Sequence, residues 1–145
     1  PGAVGVVPRR PDGSLVLVRQ FRKARECECL EIVAGLLDPG EAPAAAAARE
    51  LREETGLEAD TLEPLGEIWA SPGYTDECIH LFFADCSAPA GAHAPDEDER
   101  IEVVGLAPAA FEALIASGQI HDAKTLAAWT LCRARFSPPP PGAAS

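Results

Sequence analysis

The chain is expected to fold as a mixed α/β (α+β) sandwich, and three observations lead there. Strand-like runs crowd the first third of the sequence, a strong alanine-rich helix follows them, and two more helices come late, after further strands. At 145 residues and 47% hydrophobic, the chain has the size and apolar content for one well-packed domain. That domain is assigned to residues 1–137, with residues 138–145 as a proline-rich flexible tail.

Residues 3–7 (AVGVV) and 15–21 (LVLVRQF) read as strands, joined by a turn at Pro11-Asp12-Gly13-Ser14. A third strand-like run spans Leu30 to Val33. After a loop with Asp38-Pro39-Gly40, a helix is expected from Ala42 to Thr55. Pro43 suits its first turn, where a missing N–H costs nothing, and Gly56 suits a left-handed stop. Its five consecutive alanines have high helix propensity and small volume, so it can lie close to a sheet. Residues 62–70, 79–86 and 101–106 read as further strands. A helix over Pro108–Ser117 puts Phe111, Leu114 and Ile115 on one face, and a last helix begins at the N-cap Asp122 with Trp129 as core.

The net charge of -11 argues against a nucleic-acid polymer as partner, because phosphate chains bind basic surfaces. A small phosphorylated substrate would need a local cationic cluster or a bound metal to offset that field. No apolar run approaches spanning length and no signal-peptide pattern is present, so no membrane role is expected. The five cysteines, Cys27, Cys29, Cys78, Cys86 and Cys132, form neither a disulfide framework nor a paired zinc motif. They are read as reduced, mostly packed thiols in a cytoplasmic protein. His80, His93 and His121 match no catalytic spacing and are read as incidental.

The chemistry concentrates on the central helix. Glu50, Glu53 and Glu54 stand three and four residues apart, on one helical face. Like charges so placed repel, and a hard cation such as Mg²⁺ between them would offset the repulsion. The competing reading is a solvated face paired by Arg49 and Arg52. Wider spacing decides between them. Gly35, Glu41, and Arg49-Glu50-Leu51-x-Glu53-Glu54-x-Gly56-Leu57 match the Nudix box at every specified position. The chain therefore resembles the Nudix hydrolase family, and weaker similarity extends over nearly its whole length.

The resemblance implies a Nudix-type α/β/α sandwich with a mixed sheet and a loop–helix–loop catalytic motif. It implies Mg²⁺, with Mn²⁺ as a substitute, held by Glu50 and Glu54, by Glu53 as an additional ligand, and by the backbone carbonyl of Ala34. Glu41 and Arg49 would pair to brace the loop against the helix. Such metals would offset substrate charge and activate water.

Four features resemble the ADP-ribose pyrophosphatase branch of that family. Arg22, after Gln20-Phe21, matches an arginine that grips the pyrophosphate. Glu31 matches a residue beside the nucleotide or the metals, with a plain structural role as the alternative. Ser71-Pro72-Gly73-Tyr74-Thr75-Asp76-Glu77 places Pro72 at the branch's characteristic distance from the box, with Gly73, Tyr74 and Glu77 as further substrate contacts. The acidic run Asp96-Glu97-Asp98-Glu99 matches a loop that supplies the general base, Glu97 first and Glu99 second.

Magnesium-dependent hydrolysis of ADP-ribose to AMP and ribose 5-phosphate is the function so implied. The rivals are hydrolysis of another nucleoside diphosphate sugar such as GDP-mannose, hydrolysis of a dinucleoside polyphosphate, and a silent nucleotide sensor on the same fold. The sensor fits poorly, because all three box glutamates are in place. A homodimer is expected with less force than in the branch at large, because only 34 residues precede Gly35 and the extra N-terminal strands that exchange between subunits are expected to be absent or trimmed.

Overall fold

The computed structural model describes residues 2–87 and 101–137. Seven strands and three helices follow in the order β1 (Gly2–Arg9), β2 (Leu15–Arg22), β3 (Cys27–Glu31), β4 (Val33–Leu36), α1 (Pro43–Thr55), β5 (Ala59–Trp69), β6 (Cys78–Cys86), β7 (Ile101–Leu106), α2 (Pro108–Ala116) and α3 (Ala123–Cys132). A short 3₁₀ turn, Arg133–Phe136, ends the described chain.

The sheet runs β3-β2-β1-β6-β5, with β4 also paired to β1 and β7 also paired to β2. Strands β1 and β6 are parallel, and the other pairings among the described residues are antiparallel. The central strands β1, β2 and β6 are apolar on both faces, as expected of strands covered on both sides. Alternate side chains feed two cores. Val4, Val6, Val16, Val18 and Phe82 meet Ala46, Ala47 and Leu51 of α1. Val7, Leu15, Leu17, Leu81 and Phe83 meet Phe111, Ala128 and Trp129 of α2 and α3. The alanines of α1 thus do what their size suggested: Ala46 and Ala47 are fully buried against the sheet.

Trp129 lies in the second core, edge-on to Phe111 at 5.0 Å, with its indole N–H donating to Glu112 at 2.7 Å. Asp122 caps α3 through its side chain, which accepts from the Thr125 amide. Gly56 stops α1 at φ 73°, a left-handed conformation that suits glycine.

Two expectations need correction. The strand-like run Leu30–Val33 is not one strand. The chain changes partner at Ile32: β3 pairs with β2, and β4 pairs with β1. The Ile32 amide leaves the ladder and donates instead to Thr125 Oγ1 at 2.9 Å. The cysteines are not mostly packed either. Cys86 and Cys132 are buried, and burial pushes both thiols up to about 12. Cys27 is exposed and Cys29 half-buried, because β3 is an end strand of the sheet, and Cys78, at the first position of β6, is half-buried too.

Candidate active site

The site is built around α1 and the loop before it. The Arg49 guanidinium grips Glu41 with two bonds of 2.9 Å, from Nε and Nη2. Its Nη1 reaches Glu50 at 2.7 Å and Glu53 at 3.2 Å, and Nη2 also donates to the Leu36 carbonyl at 3.0 Å. One side chain thus ties the β4 end, the loop and two glutamates of the helix together. Glu41 in turn accepts from the Asp38 amide at 3.0 Å. The Arg49 bonds hold the Glu41 carboxyl down to about 2, and the same contact raises Arg49 above its ordinary value.

Glu50 is half-buried, and burial pushes its carboxyl up despite Arg49. It lies hard against Gly35: a Cβ added there would sit 2.0 Å from the carboxylate. Any side chain at residue 35 would push the Glu50 carboxylate out of this position. Glu54 is buried, and its carboxylate accepts from the Ala34 amide at 3.4 Å. Glu53 is half-exposed. Glu50 and Glu54 therefore both lie against β4 at Ala34–Gly35, and Glu53 is held beside them through Arg49. Their oxygen donors, one cation against several carboxylates, and the glycine cradle fit a hard divalent ion that retains part of its water shell.

A second network stands at the end of β2. Arg22 binds Glu31 through two parallel bonds of 2.7 Å. Lys124, a residue the sequence reading did not single out, reaches Glu31 at 2.6 Å and Asp122 at 2.8 Å. Burial raises the Glu31 carboxyl, but Arg22 and Lys124 outweigh it and hold the group below its ordinary value.

The segment after β5 forms a turn in which the Tyr74 and Thr75 amides both donate to the Ser71 carbonyl at 3.1 Å. Pro72, Gly73 and Tyr74 are exposed, Tyr74 at 88%, and Glu77 is half-buried. Glu97 and Glu99 lie outside the described residues, as do His93 and the tail from Pro138 to Ser145. The strand they precede, β7, begins with Ile101 opposite Gln20, two residues from Arg22.

The NUDIX domain model matches residues 1–129. The chain belongs to the Nudix family. It is similar to an ADP-ribose pyrophosphatase of Bacillus subtilis (strain 168), 40% identical over 126 residues, covering 86% of this chain and 68% of that protein. It is also similar to a GDP-mannose pyrophosphatase of Yersinia enterocolitica, 38% identical over 133 residues, covering 86% and 69%. A crystal structure of an ADP compounds hydrolase superposes with a TM-score of 0.83 at 30% identity, covering 93% of this chain and 72% of that one. The Nudix sandwich expected from the box is thus the fold observed. No helix among the described residues is long and apolar enough to cross a membrane.

Proposed function

We propose that this protein hydrolyses the pyrophosphate bond of a nucleoside diphosphate derivative with Mg²⁺, or Mn²⁺ in its place, and that ADP-ribose, cleaved to AMP and ribose 5-phosphate, is its substrate. The observation that carries this reading is the intact box geometry: Arg49 joins Glu41, Glu50 and Glu53 to the end of β4, where Glu50 lies against Gly35. Glu50, Glu53, Glu54 and the Ala34 carbonyl would hold the metal. When bound, it supplies charge neutralisation and Lewis acidity at the phosphoryl groups.

The chain's own residues take the remaining roles. Arg22, steadied by Glu31, is assigned to a phosphate, for which a guanidinium is geometrically suited. Pro72, Gly73, Tyr74 and Glu77 are assigned to the sugar side of the substrate. Glu97, with Glu99 second, is assigned as general base. The pairing of Ile101 with Gln20 supports this, since it brings the start of β7 to the Arg22 end of β2. We further assign the protein to the cytoplasm and to a homodimer.

The similarity to a GDP-mannose pyrophosphatase favours a second reading, in which the same box acts on that nucleotide sugar. A panel of ADP-ribose, GDP-mannose, ADP-glucose, NADH and diadenosine polyphosphates, with products separated by chromatography, decides. Preferred release of AMP from ADP-ribose, abolished by EDTA, is the expected result. Preference for another member would keep the chemistry and replace the substrate.

A further inference from the structure

Strands β5 and β6 form a hairpin whose register sets Glu67 opposite His80 and Trp69 opposite Cys78. His80 and Cys78 are two apart on one strand, so their side chains share a face with that of Glu67. Glu67 Oε2 lies 3.5 Å from Cys78 Sγ and 3.9 Å from His80 Nδ1. One donor atom from each of the three falls within 4.8 Å of the others. Among the described residues they are the one such trio of metal-donor side chains.

These separations are close to what a tetrahedral ion demands. With Zn–S near 2.3 Å and Zn–N or Zn–O near 2.0–2.1 Å, neighbouring ligands stand roughly 3.4–3.7 Å apart. The His80–Glu67 edge, at 3.9 Å, needs to close by only about half an ångström, on side chains that are partly exposed. The donor chemistry also discriminates. One thiolate, one imidazole and one carboxylate suit Zn²⁺, whereas the oxygen-only set on α1 suits Mg²⁺.

We propose that Glu67, Cys78 and His80 form a second metal site, for Zn²⁺, separate from the box glutamates, with water completing the tetrahedron. The Cys78 thiol lies against the Glu67 carboxylate and would give up its proton to solvent on binding the ion. The site also has a mechanical role. It lies one rung below the long Ala70 N–H to Glu77 carbonyl bond, 3.4 Å, which closes the Ser71–Glu77 turn. An ion joining β5 to β6 there staples both legs of that turn.

The test uses the chelator-stripped full chain and Co²⁺ as the spectroscopic probe, with Mg²⁺ present to fill the box. One equivalent of Co²⁺ should give a thiolate-to-cobalt charge-transfer band that Zn²⁺ removes stoichiometrically. Cys78→Ser should abolish the band, and His80→Asn should weaken Co²⁺ binding at least about tenfold. Cys27→Ser/Cys29→Ser, which removes the neighbouring thiols of β3, should leave it intact. Zn²⁺ should also slow amide exchange across residues 71–77 in the wild type and not in Cys78→Ser. Circular dichroism establishes that each variant is folded, and His80→Asn decides alone if Cys78→Ser is not. No band, a band that survives in folded Cys78→Ser or is unweakened in His80→Asn, or one lost in the Cys27/Cys29 variant would overturn the proposal.

Discussion

Two ionic networks in this molecule are built with opposite charges at their centres. At α1 a single cation, Arg49, faces Asp38, Glu41, Glu50 and Glu53. At the end of β2 a buried anion, Glu31, faces Arg22 and Lys124, and Asp122 balances the second of these. The first network is left strongly negative, and the second is closed in charge. An unbalanced cluster held rigid by one arginine is arranged to receive a cation. A balanced one, three per cent exposed at its centre, is arranged to hold a strand end and a helix start in fixed relation.

The largest effect should come from the open network. Glu53→Gln or Glu54→Gln is expected to lower kcat/KM on ADP-ribose by on the order of 10³, several kcal/mol of lost transition-state stabilisation. Full activity in both variants would sink the metal assignment and make the negative cluster a solvated helix face. Arg49→Lys keeps the charge but loses the fork that spans Glu41, Glu50 and Leu36. A fall of about 10–100-fold, with a weaker response to added Mg²⁺, is expected from a residue that orients ligands. A metal titration of turnover separates this from a simple loss of fold.

The closed network should respond in stability. Lys124→Met leaves Glu31 with one cation instead of two and should cost about 1–3 kcal/mol in urea unfolding at neutral pH. The sign with pH follows from the depressed Glu31 carboxyl. Its contribution is complete above the ordinary carboxylate value and fades as pH falls through the lower folded value. The cost of Lys124→Met should therefore shrink in acid. A cost that is flat with pH would mean that lost packing of the lysine stem, not charge, is being measured.

The same contrast explains what could be read in advance. The Arg49 network is local: its members run from Asp38 to Glu53 along one loop and one helix, so spacing alone announces it. The alanine run of α1 was legible for the same reason, since a helix packed closely on a sheet needs only small side chains along its own length. Lys124 lies 93 residues from Glu31, and no periodicity joins them. The break at Ile32 was equally hidden, because Leu30–Val33 is uniformly suited to a strand and the change of partner depends on Thr125, far along the chain. Cys78 and His80 look like ordinary strand residues until the register sets Glu67 beside them.

The crossover at Ile32 also makes the two networks neighbours on one tether. Glu31 and Ala34 are separated by three residue steps, a span of at most about 11 Å even when fully drawn out. The tether has no slack: Ile32 is pinned by Thr125, and Val33 pairs with Val6. The far end of this stretch carries the Ala34 amide that bonds Glu54 and the Gly35 backbone against which Glu50 lies. A change at Thr125, whose hydroxyl pins this stretch, is therefore expected to reach both networks at once.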